Sequence, residues 1–141
     1  MAQQALVTLK EIAVDTDKVP QFTEWLKSSN INSFSDNELE QTAFLAAEKQ
    51  FLSDRKKQAK KSFVSYLEIY PQGSNALSAH FVLAEIYFEE SEHDSALEHY
   101  QKLIDNKPNE YYEQALVRAT QVLVIKDMHL EAEDLWRELE I

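Results

Sequence analysis

Along most of the chain apolar residues recur at three- and four-residue spacing, the signature of helices buried along one side. At the N-terminus, MAQQALVTLKEIAVDT places Leu6, Leu9, Ile12 and Ala13 near one side of an amphipathic helix. Pro20, tolerated in a first helical turn, opens a second helix carrying Phe22, Trp25 and Leu26, with Trp25 expected in core or inter-repeat packing. The polar stretch SSNINSFSDNELE then interrupts the pattern and ends in Ser35 and Glu38, spaced as a capping box. Residues 30–35 are therefore the expected boundary or hinge between this leading pair (1–34) and the rest (35–141). With a single Gly and three Pro there is little material for tight β-turns, so an all-α fold of about eight helices in four antiparallel pairs is expected.

The later helices repeat. In RKKQAKKSFVSYLEIYP an alanine, Ala59, is followed four residues on by Phe63 and later by Pro71; DSALEHYQKLIDNKP repeats this with Ala96, Tyr100 and Pro108, and LEAEDLWRELEI with Ala132 and Trp136. Ala59 to Ala96 and Pro71 to Pro108 are both 37 residues, and Ala96 to Ala132 is 36. Such periods mark arrays of helix pairs. The alanine lets two helices approach closely, and the aromatic one turn later fills the space beside that contact.

These residues resemble the tetratricopeptide-repeat (TPR) signature of a W-x2-L-G-x2-Y first helix, an A-x3-F second helix and a closing proline. The best match supplies His80, Leu83, Ala84 and Tyr87, then Ala96, Tyr100 and Pro108. The preceding unit keeps Ala46, Ala47, Ala59, Phe63 and Pro71 but has Ala43 and Gln50 where bulky residues are usual; the last has Leu116, Ala119, Thr120, Leu123, Ala132 and Trp136. Three units are placed at about 40–73, 74–109 and 110–141, with Gly73 and Ser74 turning the chain between the first two and Asn109 opening the third. The resemblance implies a right-handed superhelix, an α-solenoid. The wording YLEIYPQGSNALSAHFVLAEIYFEE is similar to the repeats of Gram-negative cell-envelope TPR proteins, such as the Tol–Pal-associated periplasmic protein and the outer-membrane-assembly lipoprotein, which implies periplasm or cell envelope, with the cytoplasm as the alternative.

In TPR proteins the first helix of each pair lines the concave face. Carrying the family's contact positions over gives Phe44, Glu48 and Phe51, then Phe81, Glu85 and Phe88, then Val117, Gln121 and Val124. This apolar ladder with acidic rungs lacks the Lys, Arg and Asn that grip a peptide carboxylate at such positions. It implies instead an amphipathic helix or extended segment with basic flanks as partner. The alternative is that the phenylalanines pack internally, including against the leading pair.

The net charge of −11 is unevenly placed. Residues 1–61 carry nine acidic and nine basic side chains, whereas 62–141 carry sixteen and five. The acidic part repels phosphate backbones and anionic bilayers, so neither nucleic acid nor a membrane is expected as partner. Arg55, Lys56, Lys57, Lys60 and Lys61 run counter to this at a helix start, where the macrodipole disfavours them. They form either a solvated face near acidic neighbours or a docking patch for an acidic partner.

Chemistry is thinly represented. There is no Cys, and the histidines at 80, 93, 99 and 129 have no paired metal-ligand spacing. Phosphate-loop and nucleophile-elbow motifs are missing too, so no enzyme, cofactor or metal is expected. The N-terminus lacks a basic leader, and no window is apolar enough to span a bilayer. Entry into a helix at Met1 suggests a start cut from a longer repeat protein. At the other end Leu135, Trp136, Leu139 and Ile141 fall within seven residues, more than one pair can cover. Two functions from different classes follow: a non-enzymatic protein-binding scaffold, or a structural segment of a longer solenoid with weak self-association through the C-terminal helix.

Overall fold

The computed structural model describes residues 2–139, which are helical throughout apart from short connections. In chain order the helices are α1 (Ala2–Asp15), α2 (Val19–Ser28), α3 (Asp36–Leu52), α4 (Lys56–Ile69), α5 (Ala76–Glu89), α6 (His93–Asp105), α7 (Tyr112–Ile125) and α8 (His129–Glu138). Eight helices and no strand among the described residues agree with the expected fold class. The helices group into two compact units, Met1–Asn75 and Ala76–Ile141.

The turn inside each pair recurs in nearly identical form. Asp17, Asp54, Ser91 and Asp127 take left-handed backbone at φ of 59°, 60°, 60° and 62°. Each closes its first helix with a pair of reversed hydrogen bonds, for example Asp54 N–H to the Phe51 carbonyl and Arg55 N–H to that of Gln50. That is the double closure of a Schellman ending, with a short polar residue in place of glycine. Asp17 to Asp54 and Asp54 to Ser91 are each 37 residues and Ser91 to Asp127 is 36, so the leading pair obeys the repeat in its turn although Phe22 and Leu26 replace the alanine and aromatic.

In the first unit α3 packs on α4 and is also contacted by α1 and α2. Ala47 and Ala59 are fully buried where α3 meets α4, and Phe63 and Tyr66 fill the space beside them. Segment 30–35 lies inside this unit: Phe34 is buried with its ring edge against Phe22 at 6.0 Å. The Ser35 hydroxyl caps α3 by accepting the Glu38 N–H at 3.1 Å. The inward side of α1 is set by Leu6, Val7, Ala13 and Val14. Leu9 and Ile12 are exposed instead, because α1 meets α2 and α3 along a strip one position removed from the expected one. Trp25 on α2, expected in packing, is 43% exposed.

A buried carboxylate ties down the end of that unit. Glu40 accepts the Tyr66 hydroxyl at 2.6 Å, the Ser74 hydroxyl at 3.1 Å and the Asn75 N–H at 3.3 Å. The Tyr66 bond, stronger here than the opposing cost of burial, holds the Glu40 carboxyl below the usual carboxylate range. Gly73 is needed beside it, since a Cβ there would lie 2.5 Å from the Glu40 Oε1 and 2.7 Å from the Tyr66 hydroxyl oxygen.

The second unit is held by a core of Ala84, Ala96, Tyr100, Leu103, Ala115, Leu116 and Ala119, all fully buried. Leu135 and Leu139 of the last pair pack against it, whereas Trp136 stays about half exposed; Ile141 lies outside the described residues. Ala96 is fully buried in this core, so the change Ala96→Leu should force α5 and α6 apart. Overpacking of this kind costs ~1–3 kcal/mol. Denaturant titration should show that loss, and an unshifted midpoint would contradict close helix approach at this residue.

Candidate partner-binding faces

The expected contact residues fall into different environments. On α3, Phe44 is buried with its ring 5.9 Å from Phe63 and 5.8 Å from Tyr66, both edge-on. It therefore fills the pair's own core and offers no surface to a partner. Glu48 and Phe51 are half-buried. The apolar residues that α3 does expose are Leu45 and Leu52, seven apart and hence on one face with Glu48 between them.

On α5, Phe81 and Phe88 are half-buried and already occupied. The Phe81 ring stacks on Tyr111 at 4.8 Å, and Phe88 meets His93 edge-on at 6.5 Å. Glu85 accepts the Tyr100 hydroxyl and is bridged by Arg118, whose Nε lies 3.3 Å from Oε1 and Nη2 3.4 Å from Oε2. The same guanidinium sits over the Phe88 ring, 4.5 Å from its centre, an arrangement in which a cation is attracted to the face of the ring. Arg118 thus joins α5 to α7 and neutralises the rung expected to be acidic. Burial, with the Glu85 bond adding to it, pushes the Tyr100 hydroxyl well above its ordinary range, so it remains a donor.

On α7 the expected row is on the surface. Val117 and Val124 are 36% and 49% exposed, and Gln121 between them is exposed and receives a hydrogen bond from Arg118 at 3.2 Å. Ile125 extends the apolar strip. Val117 and Arg118 also border a shallow recess closed by Glu113, Gln114 and Leu139. Sequence reasoning missed Arg118, one of only five basic residues after residue 61, which itself singles it out. It also missed Leu45 and Leu52, whose seven-residue spacing was the available signal.

A separate polar contact lies between α5 and α6. The Nδ1 atoms of His80 and His99 are 2.9 Å apart, and Tyr87 stacks on the His99 ring at 5.6 Å. One imidazole must donate and the other accept, so the contact requires at least one neutral ring. Burial, followed by the neighbouring imidazole and Lys102, pushes His80 down to about 4; burial and Lys102 also lower His99.

No family model matches the chain, and no curated protein matches it. A solved structure, the crystal structure of MamA, is similar over 96% of this chain and 74% of its own, with a TM-score of 0.59 and 21% identity. The likeness shows a fold of the TPR type.

The histidine pair gives a testable pH dependence. The fold favours the neutral rings, so this contribution is complete above the ordinary value of 6.5 and is lost as pH falls from there towards the His80 value of about 4. In the last pair, α7–α8, Leu116 and Leu135 occupy the equivalent positions, 36 residues on. His80→Leu with His99→Leu should therefore fold and show a flatter decline in melting temperature below pH 6.5 than the wild type. Equal slopes would remove the pair as the cause.

Proposed function

We propose that this chain is a non-enzymatic scaffold that receives a protein or peptide segment on its first-helix faces, chiefly along the α7 row. The observation that carries the reading is the exposed line Val117, Gln121 and Val124 on a helix whose opposite side is completely buried. A row of exposed apolar side chains in an otherwise charged surface is where a partner's apolar residues gain most by leaving water. Arg118 is already paired with Glu85, and acidic side chains outnumber basic ones sixteen to five after residue 61. A segment with apolar anchors and basic flanks suits that field. The likeness of residues 66–90 to envelope repeats supports the cell envelope as the compartment; no helix among the described residues is long and apolar enough to cross a membrane.

A second reading, self-association through α8, is favoured by Leu130 and Trp136, which are 77% and 49% exposed. The two separate experimentally. Val117→Asp with Val124→Asp should abolish capture of a partner recovered with the wild-type chain, then purified and titrated, while stability changes by no more than the roughly ±0.5 kcal/mol usual for surface sites. Retained binding, or a loss of ~2 kcal/mol or more in stability, would assign the row to folding or to nothing.

A further inference from the structure

A cavity of about 290 Å³ opens in the first unit among α2, α3 and α4. Its origin is legible in the repeat. Ala43 and Ser62 stand 37 residues before His80 and His99, so the α3–α4 pair has two small side chains where α5–α6 has touching imidazoles and α7–α8 has two leucines. Ala43 and Ser62 both line the cavity, and Ala46 extends its floor. The walls come from second helices, Val19 and Pro20 on α2 and Ile69 at the end of α4, with Tyr70 just after it. Ile69 is more than half exposed, so the recess is an open apolar groove. The space suits one bulky side chain and lies at the small end of the range for ligand sites, roughly 300–1,000 Å³.

Its rim carries charge of the opposite sign to the chain as a whole. Lys27 and Lys61 border the groove with Glu24 as the one acid. Lys61 and Gln58 continue into an adjoining recess with Arg55, Lys56 and Lys57, against Asp17 and Asp54. Asp17 is taken by Arg55 and by Gln50, the latter at 2.8 Å. Five cations against three acids make a locally basic border in a chain of net charge −11. The lysine run at the start of α4, unfavourable for the helix itself, gains a purpose if it faces carboxylates.

We infer that this groove is a docking site for an acidic peptide segment of a partner protein, one bulky apolar side chain seated over Ala43 and Ala46 and its flanking carboxylates on Lys27 and Lys61. The inference is independent of the α7 row, whose expected partner has basic flanks. A short synthetic peptide with one tryptophan flanked by glutamates on both sides provides the probe, read by fluorescence anisotropy with the full chain. Binding should weaken about tenfold or more between low and high salt, and again when the glutamates are replaced by lysines. Lys27→Glu with Lys61→Glu should weaken it similarly without changing the fold. Ala43→Leu with Ser62→Leu, which installs the residues of the α7–α8 pair, should remove it, with helical content and melting behaviour checked in parallel.

Val117→Asp with Val124→Asp should leave this binding unchanged, so failure here and failure of the α7 reading are distinguishable. Equal affinity for the lysine-flanked peptide, or full binding by the folded leucine-filled variant, would overturn the inference. So would binding of decanoate but not of the peptide, which would make the groove a small-amphiphile site. If instead only a peptide of residues 128–139 of this chain binds and the chain associates on concentration, the occupant is a second copy and the inference fails.

Discussion

The two central helix pairs, α3–α4 and α5–α6, depend on one constraint, a close helix approach at positions held by fully buried alanines. Ala47 with Ala59 and Ala84 with Ala96 are all without solvent exposure. In the last pair Thr120 stands at the position of Ala84, opposite the buried Ala132. Once the helices approach that closely, the residue one turn after the second alanine must fill the flanking space. Phe63 and Tyr100 do so with complete burial. In the last pair Trp136 stays half outside and the gap is met by Leu135 and Leu139. The left-handed turns at Asp17, Asp54, Ser91 and Asp127 work beside it, each returning the chain to its own first helix after only a few residues.

Within that frame, the residue at a given repeat position decides whether the position packs or presents. The position filled by Phe44 is core, by Phe81 a stacking partner of Tyr111, and by Val117 surface. Phe44, three residues before Ala47, turns inward onto Phe63 and Tyr66, whereas the shorter Val117 on α7 stays partly in water. The groove at Ala43 and Ser62 is the converse, a packing position whose side chains have been reduced until the site opens. Charge follows a similar logic. Glu40 and Glu85 are both inward-leaning carboxylates held by a tyrosine hydroxyl, and neither contributes a free negative rim.

The alanine, aromatic and proline spacing was enough to read the helix pairs, their register and the close contacts at Ala59 and Ala96. The surface was less legible. Whether Phe44 points into its own pair depends on the rotation of α3, set by α1 and α2 on one side and α4 on another, and that three-way packing leaves no local mark in the sequence. Arg118 was hidden for a related reason. Its guanidinium reaches Glu85, 33 residues away, and long flexible side chains make such contacts at distances that periodicity does not encode. The turn at Asp17 was missed because an aspartate in left-handed backbone reads as an ordinary polar residue; its spacing to Asp54 was the usable signal.

Amide hydrogen exchange measured residue by residue tests the dependence on the alanine contacts most directly, because each amide reports the opening that exposes it. In the second unit the slowest exchange should fall at Leu83, Ala84, Tyr100, Leu103, Ala119 and Val122, all fully buried around the contact lines, with α8 beyond Ala132 exchanging faster. In the first unit the slowest should cluster at Ala47, Ala59 and Phe63, with the outer side of α1 far less protected. Protection that is uniform along every helix, or greatest in α1 and α8, would contradict the claim that these close contacts hold the pairs together.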